Sequence, residues 1–183
     1  MEVKLNKTLV IYTSKYGYTE KYAQWLAEEL KADICENEKI NVGKLKDYST
    51  IIFGSSLYAG KNKGAVALVK CFEQIKDKKV VLFTVGMFDI KSEENIISIN
   101  KELSKVIPPE IREKIKIFHV RGGIDCHNLS LQHKIMMKFA HSTLSKKSKN
   151  ELTDGDKDFL SIYGKKIDFS DKKMLKPIVE YCF

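Results

Sequence analysis

The sequence predicts an α/β protein whose core is a doubly wound parallel sheet. Three observations carry that expectation. Short apolar, β-branched runs alternate along the chain with stretches of helical periodicity. Three of those runs, Leu9-Val10-Ile11, Ile51-Ile52-Phe53 and Val80-Val81-Leu82-Phe83, are apolar at consecutive positions, as strands buried on both faces require. Each of the three ends in a loop of small residues, and open parallel sheets bind ligands at the carboxyl ends of their strands. The 183 residues suffice for one domain spanning 1–183 with a sizeable core.

In order, the pattern gives a strand at 8–13, a helix at 19–31, a short strand near 33–36 and a strand at 49–54. A helix at 63–75, a strand at 79–85, a helix at 93–106 and a strand at 115–121 follow. Helices near 130–144 and 154–167 complete the chain. In the first helix Tyr22, Ala23, Leu26, Ala27 and Leu30 fall on one face. Ser92 is placed to cap the helix at 93, with Glu93 and Glu94 in its first turn. Pro108-Pro109 ends it. Thr153, followed by Asp154 and Asp156, is a second such cap. The apolar residues of the tail, 176–183, are expected to dock on the domain.

The first strand-to-helix loop carries the most chemistry. Thr13, Ser14, Lys15, Tyr16, Gly17, Tyr18 and Thr19 bring hydroxyls and one glycine to a helix start. Helix N-termini favour anions because their first N–H groups lack partners and the dipole adds to their field. The loop contains neither Gly-Lys-Ser/Thr nor the three-glycine dinucleotide pattern. A helix N-cap at Thr19 after an ordinary tight turn would leave the same pattern. Ser14-Lys15-Tyr16-Gly17-Tyr18-Thr19 resembles the FMN phosphate loop of the flavodoxin-like family, with Tyr16 standing where that family usually has a threonine. The resemblance implies a flavodoxin-like five-stranded parallel sheet in the order 2-1-3-4-5, a three-layer sandwich, and FMN as cofactor.

The second and third loops extend the resemblance. They comprise Ser55, Ser56, Leu57, Tyr58, Ala59 and Gly60, and Val85, Gly86, Met87, Phe88 and Asp89. In flavodoxin-like proteins these loops hold the flavin ring, often between aromatic side chains; Tyr58 and Phe88 are the matching aromatics, and backbone groups of Gly54, Leu57, Gly60 and Gly86 would serve its polar edge. Plain core packing is the alternative for both aromatics. Asp89 and Asp125 also suit Asx turns. No catalytic residue is assigned. Of His119, His127, His133 and His141, only His127 follows a strand-end loop, where an acid or base could reach a substrate.

Composition narrows the class. Hydrophobic residues make up 43% and charged residues 31%, and the N-terminus has no signal-peptide h-region. Cys35, Cys71, Cys126 and Cys182 form no Cys-x-x-Cys pair and are expected as reduced thiols. No metal-ligand spacing occurs. These features predict a cytoplasmic protein.

Net charge is +8, and no Asp or Glu lies between Cys126 and Asn150, where Lys134, Lys138, Lys146, Lys147 and Lys149 fall. On a wheel, Leu131, Ile135, Met136, Met137, Phe139, Ala140 and Leu144 cover a broad apolar arc beside Lys134, Lys138 and His141. Such a helix lies across the protein's own crevice, rests on a membrane surface or partner, or is buried between neighbours. The segment from Arg121-Gly122-Gly123-Ile124-Asp125 through Lys134–Phe139 to Thr153-Asp154 is similar to the flavodoxin-like protoporphyrinogen dehydrogenases, basic proteins that pass electrons to membrane quinones. That resemblance implies an oxidoreductase with a small-molecule substrate or a redox partner protein. It also implies a peripheral contact with the inner membrane face, or with quinone, through 129–147. The second loop departs from that branch, reading Tyr58-Ala59-Gly60 where Arg-Tyr-Gly is common. Competing readings are a plain flavodoxin electron carrier and a non-redox partner-binding domain. A receiver domain would need acidic residues where Thr13-Ser14 and Ser55-Ser56 stand. Nucleic-acid binding is not expected, because Phe139 is the lone aromatic among the lysines.

Overall fold

The computed structural model describes residues 7–57 and 62–183. Five strands, β1 (Thr8–Thr13), β2 (Asp33–Glu36), β3 (Thr50–Ser56), β4 (Lys79–Gly86) and β5 (Lys116–Arg121), form one parallel sheet in the order β2-β1-β3-β4-β5. The register sets Thr13 opposite Ser55, Ser55 opposite Thr84, and Gly86 opposite Arg121. The strands therefore end side by side, and their loops converge on one edge.

Alternation along each strand sends side chains to two cores. Leu9, Ile11, Ile51, Phe53 and Leu82 pack with helices α2 (Lys63–Ile75) and α3 (Glu93–Ser104). Val10, Ile52, Val81 and Phe83 face helix α1 (Tyr18–Leu30), whose Tyr22, Ala23 and Leu26 are fully buried. The sheet and its two helical layers make the expected sandwich. A short helix, α4 (Pro109–Arg112), begins at the second proline, since proline is tolerated in a first helical turn.

Between β5 and the tail the chain makes an excursion that the sequence reading did not anticipate as a unit. Strand β6 (Gly123–Asp125), helix α5 (Leu131–Leu144), helix α6 (Asp154–Ile162) and strand β7 (Lys166–Asp168) enclose a third core around Ile124, Leu129, Met137, Phe159 and Ile162. β6 and β7 pair antiparallel. Gly122 N–H donates to Gly86 O at 2.7 Å and Phe169 N–H donates to Gly122 O at 3.0 Å, marking where the chain leaves the sheet and returns.

Two expectations are corrected here. The helix expected at 154–167 stops at Ile162, because Gly164 takes a φ of 76°, and the chain turns into β7. It is also not the final helix: α7 (Lys176–Cys182) follows a short 3-10 turn. Leu175 and Ile178 bury against the α1 face of the sheet, so the tail completes that layer. No described helix is long and apolar enough to cross a membrane.

Candidate functional site

The converging strand ends and the excursion border a partly open cavity of about 70 Å³. Ser14, Lys15, Tyr16, Tyr18 and Thr19 of the first loop form one wall. Ser56 and Leu57 at the end of β3, and Val85, Gly86 and Met87 at the end of β4, form the next. Gly122, Gly123, Ile124 and Met137 of the excursion close the remaining side.

The first loop folds back over the start of α1. Gly17 sits at the N-cap of α1 with φ 88°, a conformation side chains rarely adopt. Its N–H donates to Ser14 Oγ at 3.1 Å, which folds the loop over the helix start. Gly17 has no side chain to cap α1, and among the described residues no other side chain does, so the N–H groups of its first turn lack a capping acceptor there. Thr19 is thus not the N-cap. It lies inside the first turn, 1% exposed, with its methyl toward Gly54. Glu20, in the same turn, accepts a hydrogen bond from Tyr12 Oη at 3.3 Å and is not a cavity residue. Burial first, and Glu20 second, push the Tyr12 phenol up to about 12, so it stays a donor.

The excursion is pressed onto this loop. A Cβ at Gly122 would lie 2.7 Å from Val85 Cγ1, and one at Gly123 would collide with Ile167 O and come within 2.7 Å of the Tyr18 ring. Only glycines let β6 pass here. Tyr18 Oη donates to Ile167 O at 3.4 Å, and burial, then the charges of Asp168 and Asp125, raise its pKa. From α5, His133 reaches down beside Met137, one turn away. Its Nδ1 is hydrogen-bonded to Tyr16 Oη, and Lys15 Nζ lies 3.4 Å from its Nε2. The imidazole of His133 thus stands between the Lys15 amine and the Tyr16 hydroxyl. Ser130 N–H donates to the same oxygen at 3.5 Å.

Ten of the residues expected from the sequence line the cavity, and others stand elsewhere. Thr13 and Ser55 lie behind the wall, each nine-tenths or more buried, and among the described residues their hydroxyls have no hydrogen-bond partner. Gly17 shapes the loop without lining the cavity. Phe88 packs into the third core against α6, near Gly155, and Met87 takes the cavity position instead. Asp89 pairs with Arg121 at 3.6 Å, and its N–H donates to Asp158 Oδ2 at 2.7 Å. Tyr58, Ala59 and Gly60 lie outside the described residues. His127 is exposed, its N–H donating to Asp125 Oδ1 at 3.1 Å. The sequence reading passed over His133; its i, i+4 spacing to Met137 was the available signal. Among the described residues no group of three or more His, Cys, Asp or Glu side chains is arranged to hold a metal.

The model of the flavodoxin domain family matches residues 9–151 of the chain. A protein of Methanocaldococcus jannaschii without an assigned function is 30% identical over 125 residues, covering 66% of this chain and 74% of its own length. Among solved structures, oxidised flavodoxin 2 from Bacillus cereus is 23% identical, covering 63% of this chain and 84% of its own, with a TM-score of 0.42. A flavoprotein in complex with FMN from Lactobacillus acidophilus is 16% identical, covering 64% and 93%, with a TM-score of 0.37.

Proposed function

This chain belongs to the flavodoxin domain family, and on that premise we propose that it binds FMN and acts as an oxidoreductase. It would move electrons between a small-molecule or protein donor and a quinone-like or protein acceptor. The observation that carries the reading is the uncapped start of α1 under the Ser14–Gly17 turn, opening into the cavity.

The residues present fit the cofactor. The first-turn N–H groups of α1 and the hydroxyls of Ser14 and Thr19 would hold the phosphate, with Lys15 as the nearby cation. The buried hydroxyls of Thr13 and Ser55, without partners among the described residues, add polar capacity behind that loop. Ser56, Leu57 and the 85–87 segment would bound the ring, while Ile124 and Met137 supply apolar cover that excludes water. Bound FMN supplies one- and two-electron chemistry; the chain's part is to bind it, orient it and set its surroundings.

Comparing FMN with riboflavin by fluorescence titration tests the phosphate site. Two charge-assisted hydrogen bonds at about 1.5–3 kcal/mol each would make FMN bind at least about a hundredfold more tightly. Equal binding removes the phosphate-loop reading. Binding of neither leaves the fold but points to a non-redox partner-binding domain.

A further inference from the structure

We propose that Arg121, the last residue of β5, is a positioning residue for the flavin ring: it fixes the wall at 85–89 and sets the charge behind it. The proposal rests on the FMN reading above and names what orients one side of that site.

The wall turns its carbonyls into the protein. Val85 O accepts Leu57 N–H at 2.8 Å, and Gly86 O accepts Gly122 N–H at 2.7 Å. Met87, the first residue beyond β4, lines the cavity, and its carbonyl accepts Arg121 Nε at 3.0 Å. Backbone N–H groups hold the first two carbonyls, but the third depends on a side chain. Because a peptide is planar, holding Met87 O also fixes the direction of the Phe88 N–H. Arg121 thus decides which polar groups the wall can offer at the point where strand pairing has ended.

The guanidinium is itself firmly placed. Its side chain is 16% exposed and lies 3.9 Å from the centroid of the Phe169 ring. Nη2 stands 3.3 Å from Asp158 Oδ1, and Nη1 stands 3.6 Å from Asp89 Oδ2. Asn95 Nδ2 donates to Asp89 O at 3.0 Å and to Asp158 Oδ2 at 2.9 Å, bracing both ends of the cluster. Only a planar fork of donors serves a carbonyl and two carboxylates at once, which a lysine ammonium cannot reproduce.

Charge gives the cluster a second role. One guanidinium faces two carboxylates, so removing it leaves both negative groups uncompensated beside the cavity wall. Uncompensated negative charge there disfavours adding electrons to a bound ring.

Anaerobic titration of wild type and variants with FMN and riboflavin, each oxidised and dithionite-reduced, tests the proposal. Arg121→Met should weaken both oxidised flavins by one common factor, at least about tenfold, since they share the ring. It should weaken the reduced forms about tenfold more, moving the two-electron midpoint down by about 30 mV. Arg121→Lys, which keeps the charge without the fork, should lose affinity about threefold and hold the midpoint near wild type. Arg112→Gln, whose guanidinium binds Asn100 instead, should change neither. The proposal fails if Arg121→Met binds both flavins as wild type does. Loss confined to FMN also overturns it, assigning Arg121 to the phosphate loop. An equal midpoint drop in Arg121→Met and Arg121→Lys removes the role of charge. If Arg121→Met does not fold, Arg121→Lys decides: weakening of both flavins supports the proposal, and unchanged binding overturns it. Wild type that binds neither flavin overturns the FMN reading and this proposal together, whereas an FMN-binding wild type matched by Arg121→Met overturns this proposal alone.

Discussion

Tyr16 in the first loop and His133 on α5 are hydrogen-bonded across 117 residues of chain, through Oη and Nδ1. That bond ties the excursion to the loop that begins α1, so anything loosening α5 is felt in that loop.

The Tyr16–His133 link predicts energetic coupling. Tyr16→Phe and His133→Ala should each destabilise the protein, and the double variant should cost less than their sum by about 0.5–1.5 kcal/mol. A double-mutant cycle in urea measures this. Strict additivity would mean that the bond contributes nothing in solution.

Gly123→Ala should destabilise by about 1–3 kcal/mol, because the new methyl meets Ile167 O and the Tyr18 ring, where neither backbone nor a packed ring yields easily. FMN affinity should fall with it, since the same contact positions the first loop. Unchanged thermal unfolding and unchanged FMN titration would contradict the close approach of β6.

Asp158 receives hydrogen bonds from Asp89 N–H at 2.7 Å, Asn95 Nδ2 at 2.9 Å and Arg121 Nη2 at 3.3 Å. It thereby joins α6 to the loop after β4. Asp158→Ala leaves those partly buried donors unmatched and should cost about 1–3 kcal/mol. Limited proteolysis should then cut within 145–170 sooner than in the unaltered protein. A cleavage pattern identical to wild type would show that α6 is held by its apolar side alone.

His119 gives a pH prediction. It shares a 2.7 Å hydrogen bond with Thr84, and burial first, with Arg112 second, pushes its pKa down to about 4. A lowered histidine pKa means that the unfolded chain takes up the proton more readily. The neutral imidazole's contribution is thus complete above about pH 6.5 and declines as pH falls toward 4. Against wild type, His119→Gln should show a flatter loss of stability across that window in denaturation curves taken by pH. Parallel curves would mean the site is more hydrated than its burial implies.

Thr13 and Ser55 carry the opposite expectation. Their hydroxyls are buried without partners among the described residues, so Thr13→Val or Ser55→Ala should stabilise the flavin-free protein by up to about 1–2 kcal/mol. Calorimetry with and without FMN separates two roles. A gain without FMN that shrinks in its presence would mean the hydroxyl serves the bound state, and destabilisation in both would mean it has a partner in the folded protein.

Most of the sheet was legible because buried strands advertise themselves locally: Val10, Ile52 and Val81 are apolar whatever their neighbours, and each is fully buried. The edge where the loops converge was legible for the same reason, since the register sets the ends of β1, β3, β4 and β5 side by side. Less local information decided the excursion. Lys166–Asp168 has three residues and becomes a strand only because Gly123–Asp125 lies opposite. Phe88 stood beside a glycine at a strand end like Tyr58, yet α6 drew it into another core.

What the sequence by itself determined is the five strands of the parallel sheet, the helices α1, α2, α3 and α5, and, through the family resemblance, the order of the strands. Periodicity and turn residues act within a few positions, so a reader of the chain can recover them. What only the tertiary structure decided is which parts meet. The broad apolar arc of α5 could have turned either side inward; packing chose Met137 and His133 and left Ile135 and Phe139 outside. That choice depends on the surface offered by residues a hundred positions away, which no pattern within one helix records.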